Sequence, residues 1–158
     1  RRGLDRTVSA AVKGPASGGK SYVTGQVLRF FPESAYYDLS AMSDRALVYS
    51  NEDLRHRFLV LFESECLKGD MASYLLRSLL IESCIRYETV ITTSEVLRPV
   101  LIEKEGPTGL LVTTTAPSLN QENETRLFSL TVLDTKEQTK EILRSLATAK
   151  TYDEDLSD

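Results

Sequence analysis

The sequence predicts an α/β fold: a three-layer α/β/α sandwich around a mostly parallel sheet, with a β-hairpin inserted before one of the later strands. Two observations support this class. Short β-prone runs alternate with helical runs along most of the 158 residues, and such alternation forms right-handed βαβ units. A glycine-rich segment also lies between the first predicted strand and the first predicted helix. In sheets of this kind ligands bind at the carboxyl ends of the strands.

The individual elements follow from local periodicity. Predicted strands are apolar or β-branched runs, and predicted helices have apolar residues three or four positions apart. Residues 85–91 and 96–103 flank a short polar segment, which is the profile of a β-hairpin. The predicted strands lie at residues 7–13, 35–39, 57–62, 109–115 and 127–133, and the predicted helices at residues 20–31, 43–48, 70–82 and 136–149. We assign residues 1–150 to one domain and residues 151–158 to an acidic, disordered tail.

Length and composition indicate a globular, cytoplasmic domain. The chain is 41% hydrophobic and 27% charged, and it contains no uninterrupted apolar run of about 18 residues that would span a bilayer. Cys66 and Cys84 are too few for a disulfide framework, which favours a reducing compartment. The net charge of −4 does not suggest a protein that coats nucleic acid with its whole surface, and a local basic contact stays open. Since the first residue is Arg1 rather than Met, we expect a piece of a longer protein.

The glycine-rich segment carries the strongest signal. Residues 14–21 match G-x-x-x-x-G-K-[ST], the pattern of a phosphate-binding P-loop in which backbone N–H groups converge on the phosphates. We expect Lys20 to reach the β- and γ-phosphates and Ser21 to offer its hydroxyl to Mg²⁺. The cofactors predicted are therefore ATP and Mg²⁺. The predicted nucleotide-binding residues are Gly14, Pro15, Ala16, Ser17, Gly18, Gly19, Lys20, Ser21 and Tyr22.

Glu63 is the leading candidate for the acid that hydrolysis needs beside the metal. It directly follows the apolar run 57–62, which is the position of a Walker B acid, and we assign it to both catalysis and the metal site. Glu65 shares a face with Glu63 if the strand continues, so that one carboxylate would serve Mg²⁺ and the other the attacking water. The sequence leaves open whether Glu65 belongs instead to the loop before Asp70.

Three more residues are catalytic candidates. Thr114 and Thr115 end the strand at residues 109–115, where a hydroxyl can sense the γ-phosphate or hold the attacking water, although β-propensity alone also explains threonine there. Arg126 precedes the last strand, where ring-forming ATPases often place an arginine finger that completes a neighbouring subunit's site. An ordinary surface arginine is the alternative.

The order of P-loop, Glu63-ended strand, hairpin, threonine-ended strand and Arg126 resembles AAA+ and superfamily-three helicases over residues 7–134. Within that group, the chain looks like the ATPase domain of primase-helicase proteins of bacterial phages, plasmids and integrative elements. The narrower resemblance is carried by residues 14–21, Arg86-Tyr87-Glu88-Thr89-Val90, Gly106-Pro107-Thr108-Gly109, Thr113-Thr114-Thr115 and Asn123-Glu124-Thr125-Arg126.

The resemblance implies a DNA helicase or translocase that acts in replication of a mobile genetic element. It implies a hexamer-like homo-oligomeric ring with ATP between neighbours, and single-stranded or forked DNA in a central channel. The hairpin tip would project toward that channel, with DNA contacts at Arg86, Thr92, Thr93, Ser94 and Arg98. The tip lacks the Lys or Arg that such hairpins often carry, and an antiparallel extension of the main sheet is the alternative for the hairpin.

Two other functions stay open at this level. Small-molecule or nucleotide kinases also begin with a P-loop, but they need an arginine-bearing lid, and the segment 85–103 has the pattern of a hairpin. A nucleotide-gated regulatory module with little turnover is the second alternative, because the acid at Glu63 is not the usual Asp-Glu pair.

Overall fold

The computed structural model describes residues 7–63, 69–93, 96–117, 119 and 121–154. It contains seven strands in two separate sheets. The strands are β1 (Ser9–Lys13), β2 (Tyr36–Leu39), β3 (Phe58–Leu61), β4 (Cys84–Thr93), β5 (Val96–Glu105), β6 (Gly109–Thr114) and β7 (Leu127–Thr131). The helices are α1 (Lys20–Leu28), α2 (Ala46–Tyr49), α3 (Asp70–Ile81), α4 (Gln121–Glu124) and α5 (Lys136–Glu154), with a 3-10 turn at Glu33–Ala35.

The main sheet has five parallel strands in the order β2-β3-β6-β1-β7. Strand β1 lies between β6 and β7, with Lys13 level with Thr114 on one side and with Thr131 on the other. Strand β6 lies in turn between β1 and β3, where Val112 pairs with Leu61. The predicted α/β class with a mostly parallel sheet is confirmed, and the topology is compatible with a Rossmann-like or P-loop fold.

The central strands are apolar because both of their faces are covered, as is usual for parallel sheets. Leu59, Val60 and Leu61 of β3 have no solvent exposure. Leu59 and Leu61 belong to one buried cluster with Leu75 and Leu79 of α3. Burying one such leucine stabilises the fold by about 2 kcal/mol. The core thus fixes the carboxyl ends of β3 and β6 in place.

The hairpin β4–β5 forms a two-stranded antiparallel sheet of its own, so the alternative that it extends the main sheet is wrong. Helix α2 holds its base: the rings of Tyr49 and Tyr87 meet edge to face with centroids 6.5 Å apart. The Tyr49 hydroxyl donates to Thr89 Oγ1 at 3.3 Å, and Lys104 Nζ donates to the Ser50 carbonyl. The hairpin is therefore anchored at its base, and its distal half is exposed.

The last helix differs from the prediction at its end. Helix α5 runs to Glu154 and includes residues 151–154, which the sequence analysis assigned to the disordered tail. Those residues contain no glycine or proline that would stop a helix at residue 149. Residues 155–158 lie outside the described part of the chain. Within the described residues, no helix combines the length and apolar character needed to cross a lipid bilayer.

Candidate functional site

The segment Gly14–Gly19 connects β1 to α1 and is held on both sides by neighbouring strands. The Gly14 N–H donates to the Thr114 carbonyl at 3.3 Å, and the Val132 N–H donates to the Lys13 carbonyl at 2.7 Å. A Cβ at Gly14 would lie 3.0 Å from the Val132 carbonyl oxygen, and Gly19 has φ +77, a conformation that favours glycine. Gly14 is therefore explained by the close approach of the neighbouring backbone, and Gly19 by its positive φ.

Lys20 is folded back over this segment. It is the first residue of α1, its side chain is buried, and its Nζ donates to the Pro15 carbonyl at 2.6 Å. The Gly18 N–H donates to the same carbonyl at 3.2 Å. The segment thus wraps around one ammonium group at the amino end of a helix, where the helix dipole adds positive potential.

Glu63 and Thr114 come from neighbouring strand ends. Leu61, the last residue of β3, pairs with Val112 of β6, and Glu63 and Thr114 each follow this pair by two residues and line the same cavity. Thr114 is level with Lys13, the residue before the glycine segment. Strand β6 therefore separates the acid from the glycine segment by the width of one strand.

A cavity of about 380 Å³ joins these parts at the carboxyl edge of the sheet. It brings together the predicted loop from Ala16 to Tyr22, the acid Glu63, and both predicted threonines. Gly14 and Pro15 hold the base of the loop. The lining residues are Ala16, Ser17, Gly18, Gly19, Lys20, Ser21, Tyr22, Phe62, Glu63, Thr113, Thr114 and Thr115.

Thr113 is a site residue that the sequence analysis missed. Its hydroxyl donates to the carbonyl of Phe62, the residue before Glu63, and its side chain is buried. Thr114 uses its hydroxyl differently, accepting from the Ala116 N–H at 3.0 Å. Thr115 is exposed in the cavity. Strand alternation was the available signal, because it puts Thr113 and Thr114 on opposite faces of β6 and so gives their hydroxyls different partners.

Glu124 connects the glycine segment to the end of the sheet. Its carboxylate accepts from Lys13 Nζ, from the Leu119 N–H at 2.9 Å and from Ser129 Oγ at 3.0 Å. The hydrogen bond from Lys13 and then that from the Leu119 N–H hold the pKa of Glu124 below its usual value of 4.5. Lys13 also donates to the Pro117 carbonyl at 3.3 Å.

Arg126 lies at the amino ends of the parallel strands, opposite the carboxyl ends where the glycine-segment cavity is found. Ser9, the first residue of β1, pairs with Leu127, so Arg126 sits beside the amino end of β1. The strand separates it from the glycine segment by about 15 Å. Arg126 lines a second cavity of about 470 Å³ with Thr7, Ser9, Leu80, Ile81, Ser83, Pro107 and Thr108. The structure does not bring Arg126 to the glycine-segment cavity of its own chain.

The predicted DNA-contacting arginines point to opposite faces of the hairpin. Paired residues share a face, and Arg86 pairs with Glu103 whereas Arg98 pairs with Ile91, on the alternate positions. Arg86 Nε bonds to Glu103 Oε1 at 2.7 Å, and this hydrogen bond raises the pKa of Arg86. Arg98 is exposed in the distal half.

The predicted residues at the hairpin tip are described to different extents. Thr92 is exposed near the end of β4, and for Thr93, the last residue of that strand, only the backbone is described. Ser94 lies outside the described residues, as does the candidate acid Glu65.

The polar groups of the cavity fit a magnesium site. Mg²⁺ prefers hard oxygen ligands and usually binds through one or two carboxylates together with phosphate oxygens and waters. The Ser21 hydroxyl and the Glu63 carboxylate, both exposed and both lining the cavity, are such ligands. Among the described residues, no group of three or more His, Cys, Asp or Glu side chains forms a metal cluster.

The fold and site define an α/β protein with a mostly parallel sheet and a polar cavity at the carboxyl ends of its strands. No family model matches the chain, and no curated protein matches it. Among solved structures, the chain is similar to the apo C-terminal region of NrS-1, with 15% sequence identity and a TM-score of 0.43. The match covers 86% of this chain and 33% of that one, so this chain spans about a third of its length.

Proposed function

We propose that the chain is a P-loop domain that binds and hydrolyses Mg-ATP and couples hydrolysis to movement on DNA. The observation that supports this most directly is the shared cavity. It joins a glycine-rich helix start, a buried lysine and a carboxylate two strands away. These are the groups that phosphoryl transfer requires at one place.

Binding rests on the loop. In this proposal the backbone N–H groups around Gly18 and Gly19 face the phosphates, and Lys20 exchanges the Pro15 carbonyl for phosphate oxygens. An anionic phosphate is a stronger partner for an ammonium group than a neutral carbonyl. The amino end of α1 adds the positive end of its dipole.

Hydrolysis is assigned to Glu63 and Thr115. The Glu63 carboxylate accepts a proton from water while the water oxygen bonds to the γ-phosphorus and the bond to the β–γ bridging oxygen breaks, giving ADP and phosphate. Thr115, exposed in the same cavity, orients the water or the γ-phosphate. Bound Mg²⁺, held through the Ser21 hydroxyl and the Glu63 carboxylate directly or through water, would neutralise charge on the β- and γ-phosphates.

Arg126 is assigned to a neighbouring subunit's site. Arg126 lies at the amino ends of the strands, whereas the P-loop of the same chain lies at their carboxyl ends. It can therefore act as an arginine finger only in trans, and this requires an oligomer. A ring of identical subunits would place each Arg126 against the next P-loop and would leave an isolated chain slow in turnover.

DNA engagement is assigned to the distal half of the hairpin. That half is exposed and carries Arg98, a permanently charged group that suits phosphate. Arg86 has a smaller part in this proposal, since it is already ion-paired with Glu103.

The test is steady-state ATPase activity of the intact protein with and without single-stranded DNA, with Lys20→Ala as the blank. We expect turnover that DNA stimulates and that the blank lacks. Turnover indifferent to DNA would contradict the motor and favour a kinase, which acceptor screening with labelled ATP would then identify. ATP binding without turnover, even in the assembled oligomer, would favour the regulatory module.

A further inference from the structure

We propose that Tyr22 is the base-stacking platform of the nucleotide site and that the site accepts purine and pyrimidine nucleoside triphosphates with little discrimination. This inference rests on the proposed function, since it concerns the part of the ligand beyond the phosphates.

The first step is the position of Tyr22 on α1. Consecutive helical residues are about 100° apart, so the side chains of Lys20 and Tyr22 project about 160° apart around the axis. Both line the same cavity, which therefore extends across the amino end of the helix. Lys20 is 8% exposed, whereas Tyr22 is 71% exposed. The cavity thus has a buried cationic side and an open aromatic side.

The second step is the distribution of polar groups. The polar side chains that line the described part of the cavity come from the glycine segment, the start of α1 and the ends of β3 and β6. These are the groups assigned to the triphosphate, the metal and the attacking water. The nucleoside must continue outward from the phosphates. Two aromatic side chains line the described part of the cavity, and the exposed one is Tyr22, because Phe62 is half-buried at the end of β3.

The third step is the chemistry of stacking. Every nucleobase has a π-face, so an aromatic side chain binds bases through stacking without reading their hydrogen-bonding edges. Strong base selectivity instead requires polar groups that hydrogen-bond those edges. A site with a tyrosine ring at its open side and its polar side chains at the phosphate end should therefore select for the triphosphate.

The experiment is isothermal titration of the intact protein with ATP, GTP, CTP and inorganic tripolyphosphate, all with Mg²⁺. The variants are Tyr22→Ala, Tyr22→Phe and Lys20→Ala. We expect the wild type to bind the three nucleotides within about tenfold of one another. Tyr22→Ala should weaken each nucleotide by roughly tenfold and leave tripolyphosphate unchanged, since stacking alone is lost. Tyr22→Phe should bind like the wild type.

The outcomes separate this inference from the proposed function. If Tyr22→Ala binds ATP as tightly as the wild type does, Tyr22 is not the stacking residue. If the wild type prefers one base by more than a hundredfold, the site is selective. Either outcome contradicts this inference without contradicting the P-loop. Failure of every ligand to bind, tripolyphosphate included, or unchanged binding in Lys20→Ala, would overturn the nucleotide site as well. Because Tyr22 is largely exposed, Tyr22→Ala should keep the unfolding temperature of the wild type.

Discussion

Lys13 and Glu124 form an ion pair that joins the last residue of β1 to the last residue of α4, 111 positions apart in sequence. The same carboxylate holds the Leu119 N–H and Ser129 Oγ. One side chain therefore links the residue before the glycine segment to the segment that follows the threonine-ended strand and to the edge strand β7. We therefore expect a substitution that displaces Glu124 to loosen all three parts.

Glu124→Gln should destabilise the fold in a pH-dependent way. The folded-state pKa of Glu124 lies below its usual 4.5, so its stabilisation is complete above that value and disappears as the pH falls through the folded-state pKa. At pH 7 we expect a loss of about 1 kcal/mol, allowing for solvent screening of a side chain that is 31% exposed. The difference between variant and wild type should stay constant above about pH 5 and shrink as the pH falls below 4.5.

Thermal unfolding at pH values from 7 down to about 3 checks this, because the range has to extend below 4.5. Glu105→Gln is the matched control, because Glu105 pairs with Arg55 at 3.3 Å on the open surface and is 74% exposed. A constant gap between Glu124→Gln and wild type across that range would refute the role given to the carboxylate.

Thr113→Val should lower kcat more than it raises KM. The lost hydroxyl frees the Phe62 carbonyl, and the adjacent Glu63 loses its fixed position, so we expect kcat to fall roughly tenfold. Thr108→Val is the control: Thr108 is equally buried, and its hydroxyl donates to the Leu54 carbonyl at 2.9 Å near the amino edge of the sheet. Both variants should lose about 1 kcal/mol of stability. Equal kcat values in the two variants would count against a positioning role.

Lys20→Ala should weaken ATP binding by roughly a hundredfold, because it removes the buried ammonium at the phosphate end. Arg29→Ala removes one positive charge just beyond the other end of α1 and should bind ATP normally. Calorimetry compares the two. An equal loss in both variants would mean that net charge, and not the loop, attracts the nucleotide.

Arg126→Ala should abolish turnover while preserving ATP affinity, because Arg126 lies at the amino ends of the strands, away from the glycine-segment cavity of its own chain. Mixing Arg126→Ala with Lys20→Ala subunits should restore part of the activity, since some neighbouring pairs then combine an intact P-loop with an intact arginine. Arg126→Lys should stay inactive, because lysine lacks the planar guanidinium. Mixtures no more active than their components would contradict action in trans.

Arg98→Ala should weaken single-stranded DNA binding by about tenfold at low salt, and less as salt is raised. Arg86→Ala should change it by less than about twofold, because Arg86 is ion-paired with Glu103 on the other face of the hairpin. Fluorescence anisotropy with a labelled oligonucleotide measures both. The reverse ranking would place DNA on the Arg86 face.

The sequence predicted what depends on neighbouring residues. The glycine segment, the helix that starts at Lys20 and the apolar run before Glu63 are local patterns, and each has the expected place in the structure. Strand order is different, since no local pattern says that β6 lies between β1 and β3. Contacts that depend on that order, such as Thr113 with Phe62 and Lys13 with Glu124, were missed for the same reason.

The positions of the three arginines could be predicted from the sequence to different extents. Once the hairpin register is known, strand alternation alone puts Arg86 and Arg98 on opposite faces. Predicting this from the sequence would have required the exact length of the hairpin loop, which fixes the register. The place of Arg126 needed the pairing of β7 with β1, which joins residues more than a hundred positions apart.

That pairing also sets when the glycine segment can be ordered during synthesis. Strand β1 emerges first from the ribosome, yet both of its neighbours, β6 and β7, come from the last third of the described chain. Until about residue 114 has emerged, β1 has no partner strand, and until about residue 131 it is paired on one side only, so the glycine segment is not held on both sides. The nascent chain should therefore gain affinity for nucleotide late and abruptly, and a ribosome stalled before β7 should present a chain that cannot hold ATP.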